Sequence, residues 1–285
     1  MKKIILLIGV FLLPLYSLLG QYGDISQKQV TALRNTSMLF VQSGNSFLDS
    51  LVESSLKQSW NYIPFKVVSS EESKQHIGDP EYSFLTFVSV VNAYDEGDVK
   101  STSLSLILTQ EKDKKKGELQ LVKNSVAFVP LDADRPFDKG GFGFTYKLPD
   151  LMKSLEQFLE IAEHEKGISL SKIKKKYINN RQELESHTLL FETQNINSDY
   201  IENQEAFFEV YPYELRFVEP KMVVEAIKDK ETNYAYFYTT PDYGNGAFTV
   251  IVEAGTGRVL WFDHASFGGP RRSKLTPHYI KAINL

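Results

Sequence analysis

Residues Glu81–Val90 read "EYSFLTFVSV", and Glu231–Thr240 read "ETNYAYFYTT". Each is an apolar, strand-like run with the same glutamate lead-in. Sliding the chain by 150 positions lays "IPFKVVSSEESKQHIGDPEYSFLTF" (63–87) over "YELRFVEPKMVVEAIKDKETNYAYF" (213–237) without a gap. Val68 meets Val218, Ile77 meets Ile227, Asp79 meets Asp229, Glu81 meets Glu231 and Phe87 meets Phe237. An internal repeat outranks any local motif in deciding a fold, because each copy must be one packing unit. In this alignment Phe84, Thr86 and Val88 fall on Tyr234, Tyr236 and Tyr238.

The flanking elements extend the repeat. "TSMLFVQ" (36–42) pairs with "HTLLFET" (187–193) as a short strand. Leu48, Leu51, Val52, Leu56 and Trp60 then recur at helical spacing, with Asn45 or Ser46 as the cap. The second copy offers "NQEAFFEVYP" in that place, with Phe207, Phe208 and Tyr211 as its apolar face. A strand follows in each copy, "PFKVV" or "ELRFV", and then a short helix opened by Ser69 or Ser70, or by Pro220. Downstream, "SLSLILTQ" (103–110) matches "AFTVIVEA" (247–254), and each runs through a turn into a last strand. Gly255 and Gly257 make the second turn a tight hairpin, because glycine accepts positive φ.

Each half therefore reads β-α-β-α-β-β-β. Strands alternating with helices pair in parallel through crossovers, and strands joined by hairpins pair antiparallel. The expectation is an α/β (mixed α+β) chain of two tandem lobes, each a mixed sheet with helices packed on it. The first lobe spans 21–148, a helical linker 149–185 and the second lobe 186–285. Within the linker, Leu151, Leu155, Phe158, Leu159 and Ala162 form an apolar stripe, and "SLSKIKKKYINNRQELE" is a second helical piece.

The N-terminal "MKKIILLIGVFLLPLYSLLGQ" has two lysines, an apolar run and small residues near Gly20, the pattern of a secretory signal peptide (1–20). The run is too short for a membrane span and Pro14 interrupts it. Cleavage after Gly20 removes Lys2 and Lys3 and takes the formal charge from −4 to −6. An acidic chain of this kind does not suit nucleic acid. The chain has no cysteine, which excludes a lipoprotein anchor, disulfides, thiol catalysis and thiolate metal sites. No later stretch is apolar enough to span a membrane.

Chemistry-bearing motifs are sparse. His76, His164, His187, His264 and His278 lack metal-ligand spacing. "FDHASFGGPRR" (262–272) brings Asp263, His264 and Ser266 together, but neighbours on a strand point to opposite faces and no "GxSxG" elbow occurs. Gly140, Gly141 and Gly143 match neither a P-loop nor a dinucleotide fingerprint. No catalytic residue, metal or cofactor is assigned. Tyr234, Tyr236 and Tyr238 share one face of their strand, and Asp242 and Tyr243 follow at its end. Ligands of open α/β sheets gather there, so these residues, with the Arg271–Arg272 pair, are the candidate binding groups. The competing reading packs the tyrosines beneath helices with their hydroxyls at the rim.

The element order, ending in "FTVIVEAGTGRVLWF" (248–262) behind the "NYAYFYTT" strand, resembles the N-terminal domain of the Tol–Pal system's propeller protein. It also resembles the related domain of the curli secretion lipoprotein. The blocks "FKVVSSEE", "YSFL" and "YPYELRFVE" resemble exported bacterial envelope proteins with two tandem α/β lobes. The chain lacks the propeller and the lipidated cysteine of the first two. The resemblance transfers no activity or partner; the signal peptide, the duplicated lobe and the lack of catalytic signatures lead to the expectation of an exported, non-enzymatic module for a partner protein, in the periplasm, at the outer membrane or outside the cell. The alternative expectation is a sugar- or peptide-binding protein, or a hydrolase, with its site between the lobes.

Overall fold

The computed structural model describes residues 24–91, 100–114, 124–131, 144–239, 248–264, 275–281 and 283. Residues 1–20, read from the sequence as a signal peptide, lie outside the described residues. Lobe one opens with a short strand β1 (Ile25–Ser26) and helix α1 (Gln27–Arg34), ahead of its sheet. Lobe one runs β2 (Ser37–Val41), α2 (Ser46–Ser59), β3 (Phe65–Val68), α3 (Ser70–Lys74), β4 (Tyr82–Val91), β5 (Lys100–Leu108), α4 (Glu111–Lys114) and β6 (Ser125–Leu131). Helix α5 (Phe144–His164), which starts ahead of the linker read as 149–185, is followed by β7 (Gly167–Ile168) and α6 (Leu170–Asn180). Lobe two runs β8 (Thr188–Glu192), α7 (Glu205–Phe208), β9 (Leu215–Val218), α8 (Pro220–Asp229), β10 (Tyr234–Thr239), β11 (Phe248–Glu253), β12 (Val259–His264) and α9 (Pro277–Lys281).

Both lobes carry the same sheet. The strand orders are β3-β2-β4-β5-β6 and β9-β8-β10-β11-β12. In each the two pairings across the helical crossovers are parallel and the two hairpin pairings are antiparallel. The local signals act as expected. Asn45 Oδ1 accepts the Phe47 and Leu48 N–H groups at the start of α2, Ser69 Oγ accepts the Glu72 N–H, and Pro220 opens α8.

The register of the repeat differs from the gapless alignment. Ser37 pairs with Tyr82 and Thr188 pairs with Tyr234, so Tyr82 and Tyr234 are equivalent, not Phe84 and Tyr234. Between β9 and β10 the chain has two residues more than between β3 and β4, and α8 has 10 residues where α3 has 5. Pairing with the central strand fixes the register, and the longer helix absorbs the difference. A shift of two leaves every side chain on the same face.

The linker helix joins the lobes. Leu151, Leu155, Phe158, Leu159 and Ala162 are all fully buried, as their spacing predicts. The helix begins at Phe144 and continues through Pro149, which has no N–H to return to Thr145. Burial of Phe144 and Leu148 in the same core offsets that missing bond. Helix α5 lies between α2 and β6 of lobe one on one side and α8 of lobe two on the other. One apolar core consequently runs from Phe40 and Leu56 through α5 to Tyr236 and Val252. The remaining sheet faces carry separate clusters, around Phe84 and Ile77 in lobe one and around Phe191 and Phe237 in lobe two. No helix among the described residues is long and apolar enough to cross a membrane.

Candidate functional site

Among the described residues, a cluster of buried ionisable groups lies where α5 meets lobe two. Positions 150, 153, 154 and 157 follow the i, i+3, i+4, i+7 spacing of one helical face, beside the apolar stripe. That face reads the backbone of the β11–β12 turn. The Gly255 N–H donates to Asp150 Oδ2 at 2.8 Å. Lys153 Nζ donates to the Gly255 carbonyl, Gln157 Nε2 to the Thr256 carbonyl at 3.3 Å, and the Ser154 hydroxyl to the Gly257 carbonyl at 2.6 Å. The turn adopts positive φ at Gly255 (74°) and Gly257 (68°). A Cβ on Gly257 would lie 2.3 Å from the Asp150 carbonyl oxygen, so the fit, not only the turn, demands glycine.

Asp150 is 1% exposed. Its Oδ2 also accepts from the Tyr236 hydroxyl at 3.4 Å, while its Oδ1 is buried without a hydrogen-bond partner. Burial pushes this carboxyl up to about 7, against the opposing pull of the Gly255 N–H, Lys153 and Tyr236. Burial, with the Asp150 charge beside it, pushes the Tyr236 hydroxyl well above its ordinary range. Beyond Tyr236 lies a buried ion pair, in which Lys147 Nζ is 2.6 Å from Glu192 Oε2. Asn195 Nδ2 donates to the same oxygen at 2.7 Å, and Lys147 lies 5.7 Å from the centroid of the Tyr236 ring.

A second cluster ties the base of the same turn to the segment ahead of β8. His187 Nε2 is 2.9 Å from Glu253 Oε1 and its Nδ1 is 2.7 Å from the Glu183 carbonyl oxygen. Both ring nitrogens thus face acceptors, and the ring donates to both when doubly protonated. Arg258 bridges Glu253 and Glu183. Burial alone would raise the Glu253 carboxyl, but bonds from Thr256 and His187 and the Arg258 charge hold it below the usual range.

The three tyrosines of β10 do share a face. Tyr236 and Tyr238 are buried, and the Tyr238 hydroxyl donates to the Pro130 carbonyl of β6 at 2.6 Å, a direct bond between lobes. Tyr234 stands at the rim, 3.4 Å from Arg216 Nη1. Asp242, Tyr243, Arg271 and Arg272 lie outside the described residues, as do Ser266 and the glycines at 140, 141 and 143. Asp263 pairs with Lys174 at 2.7 Å. Among the described residues no group of three or more His, Cys, Asp or Glu is placed to hold a metal. A cavity of about 150 Å³ between α1 and the end of α5 is lined by Arg34, Glu163 and Lys166, among others, and by none of the candidate residues.

The junction's polar stripe was readable in principle, since residues 150, 153, 154 and 157 recur at helical spacing. The sequence did not show which backbone they meet. His187 and Glu253 carried no signal, being 66 residues apart. Compared with protein-family models, curated proteins and solved structures, the chain matches none.

Proposed function

We propose that this is an exported, non-enzymatic cell-envelope protein that acts as a binding or assembly module for a partner protein. The observation that carries the reading is the division of labour between interior and surface. The buried ionisable groups at the junction, Asp150, Lys147, Glu192 and Tyr236, are enclosed and bind α5 to lobe two. Among its exposed polar residues, lobe two also presents large apolar side chains. Ile201 and Phe208 are about half exposed, and the Phe208 ring meets the half-buried Phe217 edge-on at 5.7 Å. Phe217 belongs to β9, the terminal strand of its sheet. Exposed aromatic and aliphatic side chains at a sheet edge are a usual protein-docking surface. Arg216 on that strand, paired with Glu214, disfavours strand addition, so docking is by side chains. The signal-peptide pattern and the resemblance to envelope domains supply the location.

The double variant Ile201→Ser/Phe208→Ser tests this. Both positions are exposed, so stability should change by only about 0.5 kcal/mol per site. Proteins retained from native envelope extract by the unaltered chain should be lost with the variant. Retention of the same proteins at the same yield overturns this docking surface.

A further inference from the structure

Asp150 carries a titratable group across the seam between the lobes, and the groups around it are unevenly matched to its two oxygens. From its own helix it is faced by Lys153, with Lys147 one turn earlier. From β10 it meets the Tyr236 hydroxyl, and from the β11–β12 turn the Gly255 N–H and, farther off, the Glu253 carboxylate. Glu192 of β8 acts on the same tyrosine. All donors serve Oδ2, and Oδ1 is enclosed without one. A neutral carboxyl tolerates such a site, whereas a carboxylate there loses hydration on an oxygen that nothing replaces.

We propose that the α5–turn junction is a pH-operated latch. With Asp150 protonated, the turn 254–257 is held on α5. When Asp150 gives its proton to solvent, the turn lifts, the carboxylate is hydrated, and the β11–β12 end of lobe two is released from the helix. The closed junction binds the proton more tightly than the open one, so opening is favoured as pH rises. With the closed carboxyl at about 7 and an exposed one near 4, the opening equilibrium rises about tenfold per pH unit between these limits. It levels off above the upper limit.

Amide exchange of the 15N-labelled protein, corrected for intrinsic base catalysis, reads this directly. From pH 5 to pH 8 the amides of Gly255 and Gly257 should lose roughly a hundredfold of protection. The Gly255 proton shift should titrate with a midpoint near neutrality. Asp150→Asn should abolish the pH dependence. Tyr236→Phe removes a donor to the carboxylate and should raise the midpoint, which decides the matter if the asparagine variant does not fold. A Gly255 midpoint below about pH 5, protection that stays flat in the unaltered protein, a pH dependence that survives Asp150→Asn, or a midpoint unmoved by Tyr236→Phe overturns the latch.

Discussion

Gly257→Ala should be far more damaging than Gly44→Ala, although both glycines have positive φ, 68° and 85°. A left-handed conformation costs an alanine about 1–2 kcal/mol at either site. At Gly44 that is the whole effect, because a new Cβ would meet nothing within 4 Å. At Gly257 the Cβ would lie 2.3 Å from the Asp150 carbonyl oxygen and 2.6 Å from Lys153 Cβ. Ordinary contact requires the turn to retreat from α5 by about 1 Å, which stretches the 2.6 Å Ser154–Gly257 bond and the 2.8 Å Gly255–Asp150 bond out of hydrogen-bonding range. Two such buried bonds add about 2–3 kcal/mol. The expected losses are about 1–2 kcal/mol for Gly44→Ala and about 4 kcal/mol for Gly257→Ala. Urea unfolding followed by tryptophan fluorescence measures both. Equal losses would refute the claim that the turn is clamped to the helix.

Trp60 belongs to lobe one and Trp261 to lobe two, both buried, so single-tryptophan variants report each lobe separately. Because one core passes through α5, their urea transitions should coincide; separated midpoints would show that the lobes unfold independently. Lys147→Met leaves Glu192 charged and buried, and should cost about 3–5 kcal/mol, much of it regained in Lys147→Met/Glu192→Leu. A single-site loss under 1 kcal/mol would mean that solvent reaches the pair. Asp150 also sets a sign for the pH dependence of stability. Its folded-state affinity for protons is raised from 3.8 to about 7, so its contribution is complete below about pH 4 and declines as pH rises to about 7, by up to roughly 4 kcal/mol. Asp150→Asn should flatten that part of the curve, and an unchanged pH profile in chemical denaturation would count against the assignment.

The strand and helix order of both lobes was open to sequence reading because it rests on local periodicity. Leu104, Leu106 and Leu108 alternate, and the α5 stripe repeats at helical spacing. Caps at Asn45 and Ser69 and the proline at 220 act within one turn of their own position, and they too were legible. The two-residue offset between the copies was not. Identities spread over 25 positions cannot separate equal-parity registers, whereas backbone pairing of β4 on β2 and β10 on β8 must choose one.

The sequence by itself determined two copies of a mixed sheet and an amphipathic helix between them. Only the tertiary structure decided what the helix does with its polar side. Ser154 and Gly257 are 103 residues apart, and Tyr238 and Pro130 are 108 apart. Neither pair has a local pattern, because hydrogen-bond partners are chosen by the close packing of two lobes, which depends on the shape of every surface involved. The same packing buries Asp150 and thereby turns an ordinary aspartate into a group that holds its proton near neutrality.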